Sequence, residues 1–411
     1  MNENKTYDAI IIGGGAAGLM CAIAAKTKNK SCRVAIIEKN DRVGKKLMST
    51  GNGRCNLTNR YINADKYTGS FKKQSKTIFE RFSGEKIADV FKSMGLVTFF
   101  DNEGRYYPIS KHAASVLDVL RFRCEALGTD VFLSQNIHSV KKCGNKFKIT
   151  SSDDENNFNF VSEKLVIACG SKAAPKLGGN SSAADYLKNF GHTFVPYSPA
   201  LCPIKVKSDI FKLVKGLRIT GNATLCSRDG IIKKSESGEI QFTETSLSGI
   251  CIFNLSLYAE KNDKIILDLL PDYSNSELYK LIEQHKTLFS DLNCDMLLTG
   301  IFQKKAAQAI LKMSKTDLTK KCRQLNRNEI LNICKTIKAM TLTVNEKEDF
   351  SHAQSSLGGV LGSEIDEKTM QSKIVKNLYL CGENIDLCGE CGGFNLHFAF
   401  AGGIIAGENL C

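Results

Sequence analysis

The glycines of Gly13-Gly14-Gly15-Ala16-Ala17-Gly18 constrain this chain more than any other feature. They follow an apolar run, Tyr7 to Ile12, and open an apolar helical pattern from Ala16 to about Ala25. A second apolar run, Arg33 to Ile37, ends at Glu38. Strand, glycine turn, helix and strand in this order make the β-α-β unit of a dinucleotide site. The glycines permit a tight turn and let a pyrophosphate approach the backbone, and the helix N-terminus then faces the phosphates. Glu38 stands where an acid accepts from ribose hydroxyls and repels a 2′-phosphate, which disfavours NADP here. A glycine-rich turn without a ligand is the alternative, and the flanking strand and helix argue against it.

This fingerprint alone does not separate NAD from FAD. The far end of the chain carries a second half-site. The apolar run Asn377 to Cys381 delivers Gly382-Glu383, and Gly392-Gly393 opens a buried helix from Phe394 to Ala406. A second helix N-terminus stabilises negative charge on a reduced isoalloxazine. Two half-sites at opposite ends of the chain fit the long FAD molecule better than NAD. With only one fingerprint, NAD(P)H is expected as a transient reductant without a domain of its own.

Ile11 to Leu19, Glu38 to Lys46, Gly51 to Asn59 (Gly-Asn-Gly-Arg-Cys-Asn-Leu-Thr-Asn), Gly358-Gly359-Val360 and Gly382 to Gly407 resemble a bacterial flavoprotein family. Its members are labelled NAD(P)/FAD-dependent oxidoreductases or aminoacetone-oxidase-family FAD-binding proteins. The resemblance runs from about residue 7 to 409. It implies an α/β fold: a discontinuous Rossmann-like FAD-binding domain with an inserted β-barrel-like module and a helical module. It also implies FAD contacts at Gly13, Gly15, Ala17, Gly18, Glu38, Lys39, Gly44, Arg54, Cys55, Asn56, Ile137, Gly170, Gly382, Glu383, Gly393, Phe394 and Asn395. Residues 169–184 depart from the family pattern. Cys169 and Ser171 replace Thr and Gly of an Ala-Thr-Gly-Gly turn, and Ala174-Pro175 replaces Tyr-Pro.

The texture of the chain gives the same division. Residues 1–196 are expected to form the first part of the FAD-binding domain, with a long loop at 41–60 and helices at 76–95 and 113–127. Residues 197–274 read as a β-rich module of short alternating stretches. Residues 275–340 read as a basic helical module, and 341–411 as the return to the FAD-binding domain, with 341–345 a possible strand of the β module. No signal peptide and no membrane-length apolar run is visible, so a cytoplasmic protein without a membrane partner is expected. Sixteen cysteines in such a chain are expected as reduced thiols.

Flavin carries the hydride, while the protein places the substrate and often supplies a proton. Cys391, directly before Gly392-Gly393, is the first candidate proton donor; a small residue in a tight loop is the plain alternative. His397 and Cys55 are the other candidates, both with packing as the alternative. Cys388 and Cys391 form C-x-x-C, open to a redox pair or, with Cys381, to a metal; no metal is expected, since four ligands are not in sight.

The net charge is +13. Residues 275–340 hold twelve Lys/Arg against six Asp/Glu and so carry +6 of it. Lys304, Lys305, Lys312, Lys315, Lys320, Lys321, Arg323 and Arg327 suit a nucleic-acid-binding stripe, against the plain reading of a lysine-rich helix surface. Members of the resembled family are assigned as ribosomal RNA dihydrouridine synthase or bile-acid dienone reductase. Both reactions reduce a C=C conjugated to a carbonyl. The charge favours uridine in ribosomal RNA as the partner. A small-molecule enone is the alternative, with an amine oxidase or electron-transfer flavoprotein behind it.

Overall fold

The computed structural model describes residues 4–207 and 214–411. The chain divides into two compact units, Met1–Ala200 with Ala353–Cys411, and Leu201–His352.

The first unit is built on a seven-stranded sheet. Its order is Asp130–Phe132, Val34–Ile37, Asn4–Ile12, Asn157–Ile167, Lys146–Ser152 and Asn136–Cys143, with Leu378–Leu380 also on Asn157–Ile167. The strand Asn157–Ile167 pairs parallel with Asn4–Ile12 on one side and serves two partners on the other. Asn157 to Ser162 pairs antiparallel with Phe147 to Ser152, and Leu165 to Ile167 pairs parallel with Leu378 to Leu380. All four residues of Val34–Ile37 are buried, as a strand covered on both faces requires. The helix Ala16–Lys28 and the final helix Phe394–Glu408 pack closely. The fit depends on small residues. A Cβ at Gly403 would lie 2.5 Å from the Ala17 carbonyl oxygen, and one at Gly407 would lie 2.3 Å from that of Cys21. The same packing brings the end of the chain to Cys32, and Cys32 and Cys411 are disulfide-bonded. This corrects the expectation of reduced thiols throughout.

The expected helix over 76–95 is two helices, Lys72–Arg81 and Gly84–Ser93. Ser83 ends the continuity because its Oγ accepts from the Lys86 N–H at 3.2 Å and caps a new helix. The expected loop 41–60 contains the helix Lys45–Ser49 and the strand Thr58–Asn59.

The second unit is a closed antiparallel barrel in the order Ile204–Lys207, Ser246–Ser248, Ile232–Phe242, Arg218–Cys226, Lys264–Asp268 and Met340–Lys347. Closure removes exposed sheet edges. The helices Asn275–Leu288, Lys304–Met313 and Arg327–Lys338 share its core: Leu278, Ile310 and Ile337 join Leu267 and Leu342 in one apolar cluster. Two of these helices begin with capping boxes, Ser274 with Glu277 and Asn326 with Glu329. Among the described residues no helix is long and apolar enough to cross a membrane.

Candidate functional site

The turn after the first strand shows why each fingerprint glycine is there. Gly13 has φ +110°, and a Cβ on it would meet the Ala168 carbonyl oxygen at 2.4 Å. A Cβ on Gly18 would meet the Gly13 carbonyl oxygen at 2.0 Å. At Gly15 an added Cβ would meet nothing within 4 Å. Protein packing explains the first two; the third leaves open space beside the turn, as close approach of a pyrophosphate requires. Gly15 is also the N-cap of Ala16–Lys28 and gives it no side-chain cap, so the first N–H groups remain available to an anion.

Glu38 stands at the end of the second strand and is buried. Its Oε2 accepts from the Gly14 N–H at 2.7 Å, and its Oε1 accepts from Asn40 N and Nδ2 at 2.8 and 2.7 Å. These bonds hold the carboxylate beside the glycine turn. The Gly44 N–H donates to the Gly14 carbonyl at 2.9 Å. The Gln135 N–H donates to the Glu38 carbonyl at 2.9 Å, which brings the segment leading to Ile137 alongside. The Lys39 side chain is exposed.

The second half-site centres on Glu383. Lys46 Nζ and Ser171 Oγ donate to its Oε2 at 2.6 and 3.0 Å, and Ser355 Oγ donates to its Oε1 at 2.9 Å. A Cβ on Gly170 would lie 3.8 Å from Glu383 Oε2, and one on Gly382 would lie 3.2 Å from Ala17 Cβ. Thus Gly170, Gly382 and Glu383 converge on the glycine turn. Lys46, Ser171 and Ser355 are additions that the site residues read from sequence did not include. Ser171 was visible only as a departure from a family pattern, and Ser355 carried no signal.

The third element is the loop Gly389–Gly393. Asn395 brackets it, its Oδ1 accepting from the Gly389 N–H at 2.9 Å and its Nδ2 donating to the Gly389 carbonyl at 2.8 Å. Asn59 Nδ2 donates to the Gly392 carbonyl at 2.9 Å. Glu390, buried, pairs with Lys66 Nζ at 3.0 Å. Gly393, at φ +95°, N-caps the final helix without a side-chain cap, and a Cβ there would sit 2.6 Å from Asn56 Oδ1. That Asn56 oxygen is buried and has no hydrogen-bond partner. Phe394 is buried against Tyr67, whose hydroxyl donates to the Phe394 carbonyl at 2.7 Å. Arg54 is exposed, its guanidinium 5.1 Å from the centre of the Tyr107 ring. Two uncapped helix N-termini, one glycine facing open space and one orphaned buried oxygen fit an elongated anionic cofactor.

Two of the three proton-donor candidates are sealed. Cys55 is 0% exposed, and burial pushes its thiol up to about 12. His397 is also 0% exposed; Nδ1 lies 2.8 Å from Thr58 Oγ1, and its ring packs on Phe79. Burial drops its pKa to about 3, so it stays neutral near pH 7. Both side chains are therefore closed to solvent, and His397 Nε2 is buried with no hydrogen-bond partner. Cys391 is half-buried and remains accessible. Cys388 is buried, and its Sγ donates to Ser355 Oγ at 3.5 Å. Among the described residues no group of three or more His, Cys, Asp and Glu is arranged to hold a metal.

Of the eight basic residues expected to form a stripe, Lys304, Lys305, Lys312, Lys315, Lys321, Arg323 and Arg327 are exposed. Lys320 is paired with Glu329 at 2.8 Å, and Arg323 with Asp291. Those two charges are compensated within the protein, because the turns carrying Lys320 and Asp291 bring each beside its partner. The structure therefore does not support counting Lys320 and Arg323 as open phosphate ligands.

Comparison with known proteins places this geometry. The family model described as HI0933-like protein Rossmann domain matches residues 7–409. A 3-dehydro-bile acid delta(4,6)-reductase of Clostridium scindens is 33% identical, covering 97% of this chain and 97% of that protein. A ribosomal RNA dihydrouridine synthase of Escherichia coli is 25% identical, covering 99% and 98%. The open conformation of a flavocytochrome c3 fumarate reductase shares the fold, with a TM-score of 0.51 at 15% identity over 99% of this chain and 78% of that one.

Proposed function

We propose, from the premise that this chain belongs to the HI0933-like Rossmann family of flavin-dependent oxidoreductases, that it reduces a C=C bond conjugated to a carbonyl. The observation that carries the reading is the contrast among three thiol and imidazole groups around one helix N-terminus. Cys55 and His397 are sealed, while Cys391 is accessible on the loop fixed by Asn59 and Asn395.

FAD would be held by the Gly13–Gly18 turn, Glu38, the Glu383 cluster and the loop ending at Gly393. When bound and reduced, it supplies a hydride to the β-carbon of the conjugated bond. Cys391 gives its thiol proton to the α-carbon and is reprotonated from solvent. The Phe394 helix N-terminus favours negative charge beside it. Asn59 and Asn395 fix the loop so that the thiol keeps one position. NAD(P)H is the proposed reductant, visiting transiently.

The favoured substrate is uridine in ribosomal RNA. Support comes from the net charge of +13 and from the exposed cations Lys304, Lys305, Lys312, Lys315, Lys321 and Arg327. A second reading, a small enone of the steroid type, is favoured by the 33% identity to the bile-acid reductase. The test is anaerobic. The flavin is reduced with NADH or NADPH, and unmodified 23S rRNA or a steroid dienone is added. Flavin reoxidation is followed together with product mass. Reoxidation by rRNA with two hydrogens gained by a uridine supports the first reading. Reoxidation by the dienone alone removes it, and reoxidation by neither removes both.

A further inference from the structure

A small sheet in the first unit has the order Thr58–Asn59, Arg105–Pro108, Thr98–Phe100. Its edge strand Thr58–Asn59 is buried and touches both the reactive loop and the final helix. Asn59 holds the loop. Its Nδ2 donates to the Gly392 carbonyl at 2.9 Å, while its Oδ1 accepts from the Tyr61 N–H at 2.9 Å and keeps the amide oriented. Thr58 meets the next loop residue through its backbone: a Cβ on Gly393 would lie 2.7 Å from the Thr58 carbonyl oxygen. The Thr58 hydroxyl reaches the helix, 2.8 Å from His397 Nδ1. The His397 N–H in turn donates to the Gly393 carbonyl at 2.9 Å, closing the first helical turn. Strand, loop and helix are thus bonded together around Gly392-Gly393, the two residues that follow Cys391.

An imidazole is a costly choice for packing alone. The His397 ring is sealed and lies against Phe79, where a phenylalanine or leucine would gain apolar burial without desolvating ring nitrogens. What the imidazole adds is its bond to Thr58. A buried polar contact of this kind specifies one arrangement, where apolar surfaces can slide. We propose that His397 is a positioning residue: by holding Thr58 it fixes the strand whose Asn59 carries Gly392, and so sets where the Cys391 thiol meets the α-carbon of the substrate. This rests on the proton-donor reading of Cys391 in the preceding subsection and adds to it the support that keeps the donor in place.

The test uses the full-length holoprotein and the variants Thr58→Val, Thr58→Ser and His397→Phe. Valine keeps the strand preference of threonine and removes the hydroxyl, whereas serine keeps the hydroxyl. Flavin absorbance and thermal melting verify that each variant is intact. Hydrogen exchange of the peptide spanning residues 386–397, read by mass, reports the loop independently of turnover. Loss of the buried bond should speed that exchange by about 5- to 100-fold in Thr58→Val and His397→Phe. Turnover is measured with whichever of 23S rRNA and a steroid dienone reoxidises the reduced flavin. A misplaced proton donor should lower kcat by about 10- to 100-fold at unchanged KM, and Thr58→Ser should keep the wild-type values. The double variant Thr58→Val/His397→Phe should lose no more than either single variant, because both remove one bond. If Cys391→Ala slows turnover while Thr58→Val changes neither kcat nor loop exchange, the positioning role is overturned and the proton-donor reading stands. If Cys391→Ala turns over like the wild type, or neither substrate reoxidises the wild-type flavin, the reading beneath the role fails and the role fails with it.

Discussion

Replacing Gly402 and Gly403 by alanine, one at a time, separates two effects that a helical glycine combines. Both lie inside the final helix, so each substitution gains about 1 kcal/mol of helix propensity. At Gly402 the new Cβ would meet Met370 Cε at 3.5 Å and Cys381 Cβ at 3.8 Å, ordinary contact distances. Gly402→Ala therefore keeps the gain and stabilises by up to about 1 kcal/mol. At Gly403 the Cβ would lie 2.5 Å from the Ala17 carbonyl oxygen and 3.3 Å from its carbon. No flexible side chain can move aside there, because the obstacle is the backbone of the opposing helix. The helices must separate, and overpacking of this kind costs about 1–3 kcal/mol. With backbone as the obstacle the upper end applies, and the net effect is a loss of about 2 kcal/mol. The assay is urea unfolding followed by far-UV circular dichroism and by flavin release. The midpoints should move in opposite directions at unchanged m-value. A Gly403→Ala midpoint at or above that of the wild type refutes the reasoning, as does a loss at Gly402 equal to that at Gly403.

Cys391→Ala should lower turnover by about 10²–10⁴-fold, the usual contribution of a positioned acid, while the protein keeps its flavin; unchanged single-turnover reoxidation by substrate would remove Cys391 from the chemistry. His397 has a folded pKa of about 3, below the unfolded value of about 6.5, so its contribution to stability is present above the unfolded pKa and is lost as pH falls toward the folded one. Between pH 7 and pH 5 that loss is about 2 kcal/mol, and His397→Gln should flatten the difference in unfolding free energy between those two pH values. The Cys32–Cys411 disulfide predicts that denatured, unreduced protein leaves two cysteines unalkylated by mass, and that reduction lowers stability by about 2–4 kcal/mol; full alkylation without reductant would contradict it.

The parts of the site that carry a periodic or spaced signal were legible. The Gly13–Gly18 turn lies between a strand and a helix, and the Gly382-Glu383 end follows a buried strand; both stand where the pattern put them. Ser355 and Lys46 were not legible as partners of Glu383, because one serine or lysine has no period and the partners are far apart in sequence. The small sheet escaped for a related reason. Thr58–Asn59 has two residues and Thr98–Phe100 three, too few for alternation to show. His397 was placed correctly on the last helix, but its burial depends on Phe79 of a different helix. The charge pairs Lys320–Glu329 and Arg323–Asp291 were hidden because composition counts charges without showing which ones meet.

The strand Leu378–Leu380 completes the sheet beside Leu165–Ile167, and the final helix covers Ala17 and Cys21. A ribosome delivers these pieces in sequence order. Roughly 200 residues separate Ile167 from Leu378, and at about 5–20 residues per second the growing chain waits about 10–40 s for its own last strand. During that interval Leu165–Ile167 lack their parallel neighbour on that side, and a glycine-fitted helix face stands bare. A chain cut short in the second unit would keep the fingerprint turn yet lack the second half of the cofactor cradle. It would display an apolar sheet edge of the sort that chaperones and proteases engage. Flavin retention is thus a report that synthesis reached the final helix.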